Sequence, residues 1–192
     1  MPSPARKRRW QPRVLLGLVC VVGILIVGLI GLRVLFPLDY QEEILEWSAV
    51  YDLDPAWVAS IIRCESSFRA QVVSPAGAIG LMQIMPETGI WIAEQLQWVD
   101  ASTLQLQDGS TSIALGTWYL RHLLDRFHES DTALVAYNAG PTNANRWEGN
   151  VELAFPETQQ YIRRIHLCLP IYRVYFNALW LVDLIPPVRV LH

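Results

Sequence analysis

The chain has 192 residues and a mass of 21.8 kDa, room for one ordinary domain and an accessory segment. Its net charge of −3 hides an asymmetry: Arg6, Lys7, Arg8, Arg9, Arg13 and Arg33 precede residue 34, and all 18 Asp and Glu follow it, against nine remaining basic residues. An acidic body leaves no basic stripe for phosphates and argues against nucleic-acid binding; 17% charged and 10% aromatic residues exclude general disorder, and three cysteines are too few for a disulfide scaffold.

The first element is an apolar run, Val14 to Leu32, 19 consecutive uncharged residues. As a helix it is ~28 Å long, close to the thickness of a bilayer core. Gly17, Gly23, Gly28 and Gly31 are compatible with a membrane helix. Five basic residues precede the run, so the positive-inside rule puts the N-terminus in the cytoplasm and everything after Arg33 outside. A cleaved signal peptide fits less well, because the run is longer than a signal core and no A-x-A-like site follows it. Cys20 follows Gly17-Leu18-Val19, which lacks the small residue that lipoprotein processing takes immediately upstream. The expected order is a basic cytoplasmic tail over 1–13, a transmembrane anchor over 14–36, and an ectodomain starting where Pro37 breaks the helix.

Beyond Pro37 there is no long period-two alternation and no internal repeat, but helix punctuation recurs. Residues 40–51 place Ile44, Trp47 and Val50 on one side of a helix. Asp54-Pro55 supplies an N-cap and a first helical residue for a helix over about 56–68. Along it Val58, Ile61, Ile62 and Glu65 recur at spacings of three and four, which directs Glu65 with the apolar face. Ser74-Pro75-Ala76-Gly77 is turn chemistry, and a small hairpin within 70–84 stays open. Pro86-Glu87-Thr88 opens a helix reaching about Gln97. Residues 110–127 are the most regular, with Ile113, Leu120, Leu123, Leu124 and Phe127 on the buried side. Ser130 and Asp131 cap a short helix ending at Gly140, and Pro156-Glu157-Thr158 opens one carrying Tyr161 to about Cys168. The fold class is mainly α.

A carboxylate on an apolar face has to be paired, hydrogen-bonded or kept protonated, because burying a bare charge is costly. At an ordinary pKa of ~4.3, about 1 Glu in 500 carries its proton at pH 7; a shift to ~6 raises that to roughly a tenth. Taken alone, Glu65 reads as a partly exposed residue near a helix end.

Its surroundings change that reading. Glu65-Ser66 is followed by Gly80-Leu81-Met82-Gln83, then by Ala136-Tyr137-Asn138-Ala139-Gly140, then by Tyr161. In these four blocks, and in Val73 to Ile79 before the second, the sequence resembles the lytic transglycosylase (SLT) domain of the lysozyme-like superfamily, glycoside hydrolase family 23, over about residues 38–168. The resemblance implies a single globular, lysozyme-like α+β domain over 37–168 with a groove for peptidoglycan glycan strands. Glu65 matches the catalytic acid/base. It would protonate the oxygen between N-acetylmuramic acid and N-acetylglucosamine, then take a proton from the muramic 6-hydroxyl as that oxygen closes on C1 to a 1,6-anhydro sugar. Ser66 and Ser74 would hold the carboxyl or the acetamido group, Met82 and Gln83 would line the groove, Tyr137 and Asn138 would form the floor, and Tyr161 would set its phenol near Glu65. No second catalytic carboxylate appears in the blocks, since Asp100 and Asp108 lie outside them. A hydrolytic muramidase and a non-catalytic glycan-binding scaffold are the rival readings.

The remaining residues point elsewhere. Trp47, Trp57 and Trp118 read as core, and Trp91, Trp98 and Trp147 as candidate groove aromatics. His122 and His128, six apart, have poor metal spacing and read as solvated; no metal or other cofactor is expected. A Cys64–Cys168 bond is allowed outside the cytoplasm but not determined by sequence. The aromatic-rich extension 169–192 reads as a helix packed on the domain, with a membrane-surface segment as the alternative. Partners are the glycan strand and the cytoplasmic membrane.

Overall fold

The computed structural model describes residues 12–98 and 104–183, and the chain divides into two units after Pro37. In the first unit, α1 (Pro12–Leu35) is one apolar helix. Its stretch Val14–Leu35 has a mean hydropathy of 3.0 and no buried surface, so it is long and apolar enough to cross a bilayer.

The second unit is built from α2 (Gln41–Val50), α3 (Pro55–Glu65), α4 (Pro86–Gln95), α5 (Gly109–Phe127), α6 (Ser130–Ala139), α7 (Pro141–Arg146), a 3-10 turn at Val151–Leu153, and α8 (Pro156–Asp183). At its centre lies α3, whose residues 56–62 are all buried, packed chiefly on α8 and also on α2. Helix α5 packs on α2, α4 and α6, and α6 closes back onto α8. Ile61, Ile62, Leu115, Leu120, Leu134 and Ile165 fill the space between them.

Both ends of α3 are fixed locally. The Ala56 N–H donates to Asp54 Oδ1 at 2.9 Å with Pro55 in the first turn, as expected, and Arg173 of α8 holds the other Asp54 oxygen at 3.0 Å. The C-terminal end comes earlier than the pattern suggested. The helix stops at Glu65 because Ser67 and Phe68 adopt φ of 55° and 64°, turning the chain so that Phe68 buries against Tyr172 at 6.1 Å. Glu65 is therefore the last residue of a rigid helix.

The hairpin left open by the sequence exists in minimal form. Ile79 bridges Val73 on one side and Ile84 on the other, with paired N–H···O bonds between Ile79 and Ile84 of 2.9 and 3.0 Å. The Ser74–Gly77 turn closes one end through the Gly77 N–H on the Ser74 carbonyl.

Three local expectations are corrected. Val50 is exposed and Ser48 takes the inner position beside Ile44, since spacings of four suit this short helix better than three. Glu129, not Ser130, occupies the N-cap of α6 and makes no side-chain cap; Asp131 instead meets His166 of α8 at 2.8 Å. Helix α8 does not end near Cys168 but continues through Pro170 to Asp183. Tyr172 and Phe176 carry it past the proline by burying one face, in line with a packed helix over this stretch.

Gly80 has φ of 85°, and a Cβ there would lie 2.0 Å from the Leu106 carbonyl oxygen. We expect Gly80→Ala to destabilise the domain by at least ~2 kcal/mol, from the left-handed backbone and the clash together. Urea unfolding of the variant against wild type measures this.

Candidate active site

The last turn of α3 brings Glu65 against Tyr137 of α6 and Tyr161 of α8, and the three groups act on one another electrostatically. Part of Glu65 remains accessible while its carboxyl is surrounded by protein. Burial is the main influence and pushes its pKa up to about 7; the Tyr161 hydroxyl and the Arg164 guanidinium pull the other way. Both phenols are held well above their usual range, first by burial and then by the charge of Glu65.

The two tyrosines are positioned differently. Tyr137 donates to the Met82 carbonyl at 2.8 Å, which locks its ring. The buried Tyr161 hydroxyl faces Glu65 through a contact looser than a full hydrogen bond, since among the described residues no atom meets hydrogen-bond geometry at that oxygen. Such contacts at acid/base sites commonly tighten when substrate arrives.

Met82 reaches the site through its backbone. Its N–H donates to Ser112 Oγ at 3.1 Å, its carbonyl holds Tyr137, and its side chain is fully buried over Gly116, where a Cβ would come within 2.3 Å of the sulfur. Gln83, at a φ of 48°, spends its NH2 on the carbonyls of Gly80 (2.8 Å) and Val72 (3.2 Å), so its oxygen is the end left to face a ligand. Asn138 is exposed, and its Oδ1 accepts from the buried Thr158 hydroxyl at 2.8 Å, which leaves the NH2 as the recognising end.

The serines are tied into backbone. The buried Ser66 hydroxyl donates back to Ile62 at 3.4 Å, and Ser74 Oγ accepts the Ala78 N–H at 3.0 Å within its turn. Glu65 thus faces Tyr161 and lies within electrostatic reach of Tyr137, Met82 joins by its carbonyl, and Gln83, Asn138, Ser66 and Ser74 shape the surrounding backbone.

Several contributors were not read from the sequence. Arg164 stands three residues after Tyr161, a spacing that signals a shared helix face. Tyr119 lies 5.6 Å from Tyr137 and continues the aromatic surface to Trp91 at 6.3 Å. His122 is not simply solvated: its ring stacks on Trp118 at 5.2 Å and meets Trp91 edge-on. Trp91, Tyr119, His122 and Arg126 line a cavity of about 370 Å³ beside Tyr137, whereas Trp147 is buried against Phe155. Among the described residues no second carboxylate acts on the Glu65 cluster. Asp108 caps α5 through Thr111 at 2.8 Å, and Asp100 lies outside the described residues.

The fold of this helical domain is shared with solved structures. An inactive mutant of the lytic transglycosylase Slt from Pseudomonas aeruginosa superposes with a TM-score of 0.70 at 30% identity, covering 77% of this chain and 26% of that one. The 70 kDa soluble lytic transglycosylase of Escherichia coli gives 0.69 at 31%, covering 76% and 26%. The soluble lytic murein transglycosylase of Salmonella typhimurium is 34% identical over 143 residues, 68% of this chain and 22% of the relative. The profile of the transglycosylase SLT domain matches residues 42–157, and the chain belongs to that family. It spans about a quarter of the length of these larger relatives.

The raised pKa has a consequence for stability. Folded Glu65 keeps its proton up to about pH 7, while the unfolded chain releases it near 4.5, so the native state holds the extra proton between these values and stability falls as pH rises through that window. Glu65→Gln removes the ionisation. We expect the variant to match wild type near pH 4.5 and to exceed it by up to about 3 kcal/mol at pH 8, measured by urea unfolding across that range.

Proposed function

We propose that the domain is a peptidoglycan lytic transglycosylase in which Glu65 serves first as acid and then as base. The observation that carries this reading is the Glu65 carboxyl with a pKa of about 7, close to the midpoint that suits a group asked to give and retake one proton at neutral pH. Protonated Glu65 donates to the glycosidic oxygen as the bond to C1 breaks. The resulting carboxylate then accepts the proton of the muramic 6-hydroxyl, whose oxygen bonds to C1, and no water is consumed. The tethered hydroxyl reacts at an effective concentration of up to ~10⁵ M or more when well oriented, against roughly 55 M for bulk water. A hydrolase of the usual kind needs a second carboxylate to activate water or to attack C1, and the Glu65 cluster contains none among the described residues.

In this mechanism Tyr161 steadies the carboxylate formed after the first transfer, and Arg164 keeps its proton removable. Tyr137 and the Met82 carbonyl make a rigid floor, Asn138 and Gln83 offer an amide NH2 and an amide oxygen to the sugar, and Ser66 and Ser74 hold the turns that carry Glu65 and the hairpin.

The organisation that goes with this activity is a basic cytoplasmic tail (1–13), a membrane anchor (14–36), the catalytic domain (37–168) and an extension (169–192). A helix of mean hydropathy 3.0 preceded by five basic residues supports anchoring with the catalytic unit outside. One relative, the membrane-bound lytic murein transglycosylase C of Actinobacillus pleuropneumoniae, supports the anchoring.

Glu65→Gln is expected to keep glycan binding and to lose ~10⁴-fold or more in turnover, because one group fills both proton-transfer roles. Activity within tenfold of wild type contradicts the assignment. Digested sacculi should yield muropeptides ending in 1,6-anhydro-muramic acid, resistant to borohydride; reducible products labelled by heavy-oxygen water identify a hydrolase instead. Protease added to intact spheroplasts should degrade residues 40–192, and protection of that region contradicts the proposed topology.

A further inference from the structure

Next to the catalytic carboxyl lies a feature that the reaction does not use. Cys64, one residue before Glu65 on α3, and Cys168 on α8 hold their thiols within hydrogen-bonding reach of each other, 104 positions apart in sequence. Both residues are half-buried in the most extensively packed helix pair, α3 and α8. Two cysteines used merely as small apolar fillers need no cations, yet Arg63 and Arg164 both act on Cys168. Together with the shared hydrogen bond they lower the Cys168 pKa, while the same hydrogen bond, burial and the Cys168 charge keep Cys64 protonated. The pair thus shares one hydrogen bond between a thiol whose pKa is lowered and one held protonated, an arrangement suited to exchange.

We propose that Cys64 and Cys168 are an oxidative modification site, joined as a disulfide once the domain is outside the cytoplasm, and that this bond clamps the Glu65 end of α3 to α8. The inference rests on the outward topology proposed above. The co-reactant is a disulfide of the thiol-oxidising machinery or of the glutathione class. The Cys168 thiolate attacks one of its sulfurs and expels the other as a thiol. Cys64 then gives its proton to solvent and its sulfur attacks that of Cys168, expelling the second thiol. Two cysteine thiols are oxidised by two electrons, and the oxidant's disulfide is reduced to two thiols. Closing the bond brings the two sulfurs to about 2.05 Å. The bond closes a loop of roughly 100 residues close to the point where the left-handed Ser67 and Phe68 end α3.

The test uses the full chain in detergent, equilibrated with oxidised and reduced glutathione, acid-quenched, alkylated and mapped without reduction. We expect Cys64 and Cys168 peptides joined and lighter by two hydrogens, Cys20 alkylated, and a thermal midpoint ~10 °C higher in the oxidised form. The double variant Cys64→Ala, Cys168→Ala should fold, keep its turnover at low temperature and lose the redox dependence of its midpoint. Both thiols alkylated in the folded protein under oxidising buffer overturn the proposal. Acid-quenched cells provide the second arm: a linked pair supports it, and a pair that links in buffer but is free in cells overturns the claim that the bond forms in place. A linked pair in a chain that releases no anhydro-muropeptides leaves the clamp standing and rejects the proposed activity.

Discussion

Desolvation of a single carboxyl organises this structure. Glu65 is the last residue of α3, α3 is buried along most of its length, and the carboxyl is surrounded by protein. Its cost is accepted because two opposing influences stop short of complete neutralisation: burial raises the pKa, and Tyr161 with Arg164 draws it back to about 7. A carboxyl poised there is an adequate proton donor and, once ionised, an adequate acceptor.

The surrounding packing exists to keep that balance from relaxing. Tyr137 is fixed by the Met82 carbonyl, Met82 is fixed by Ser112 and seated on Gly116, and Gly80 lets the hairpin approach the Leu106 backbone. These contacts link the hairpin to α5 and α6 through atoms that tolerate no added carbon, as interiors packed at crystal density do not. On the opposite side α8 supplies Tyr161 and Arg164 from consecutive turns, and its continuation through Pro170 buries Tyr172 against Phe68, just past the end of α3. The proposed chemistry, with one proton-transfer group, needs this stiffness, since displacement of the carboxyl by an ångström loses the alignment on which tethered attack depends.

Much of this was legible in the residues. The Asp54-Pro55 start of α3 and the placing of Glu65 with Val58, Ile61 and Ile62 follow from local spacing, and both hold. What escaped depended on distant partners. The inward turn of the Met82 side chain is decided by Gly116, the stacking of His122 by Trp118 and Trp91, and the NH2 of Gln83 by carbonyls of the hairpin. The early end of α3 escaped because the left-handed Ser67 and Phe68 carry no glycine to announce them. Similarly, the length of α8 was hidden by Pro170, which reads as a stop unless the burial of Tyr172 and Phe176 beyond it is known. Periodicity reports a helix face; it does not report which neighbour that face meets.

The central claim is that the environment of Glu65, rather than its chemistry alone, sets its protonation. The most direct measurement is a titration of that one carboxyl in the folded protein, by infrared difference spectra of wild type against Glu65→Gln from pH 4 to 9. The account predicts a carboxylic acid band that disappears with a midpoint near 7. A midpoint near the ordinary value of 4.5 contradicts it.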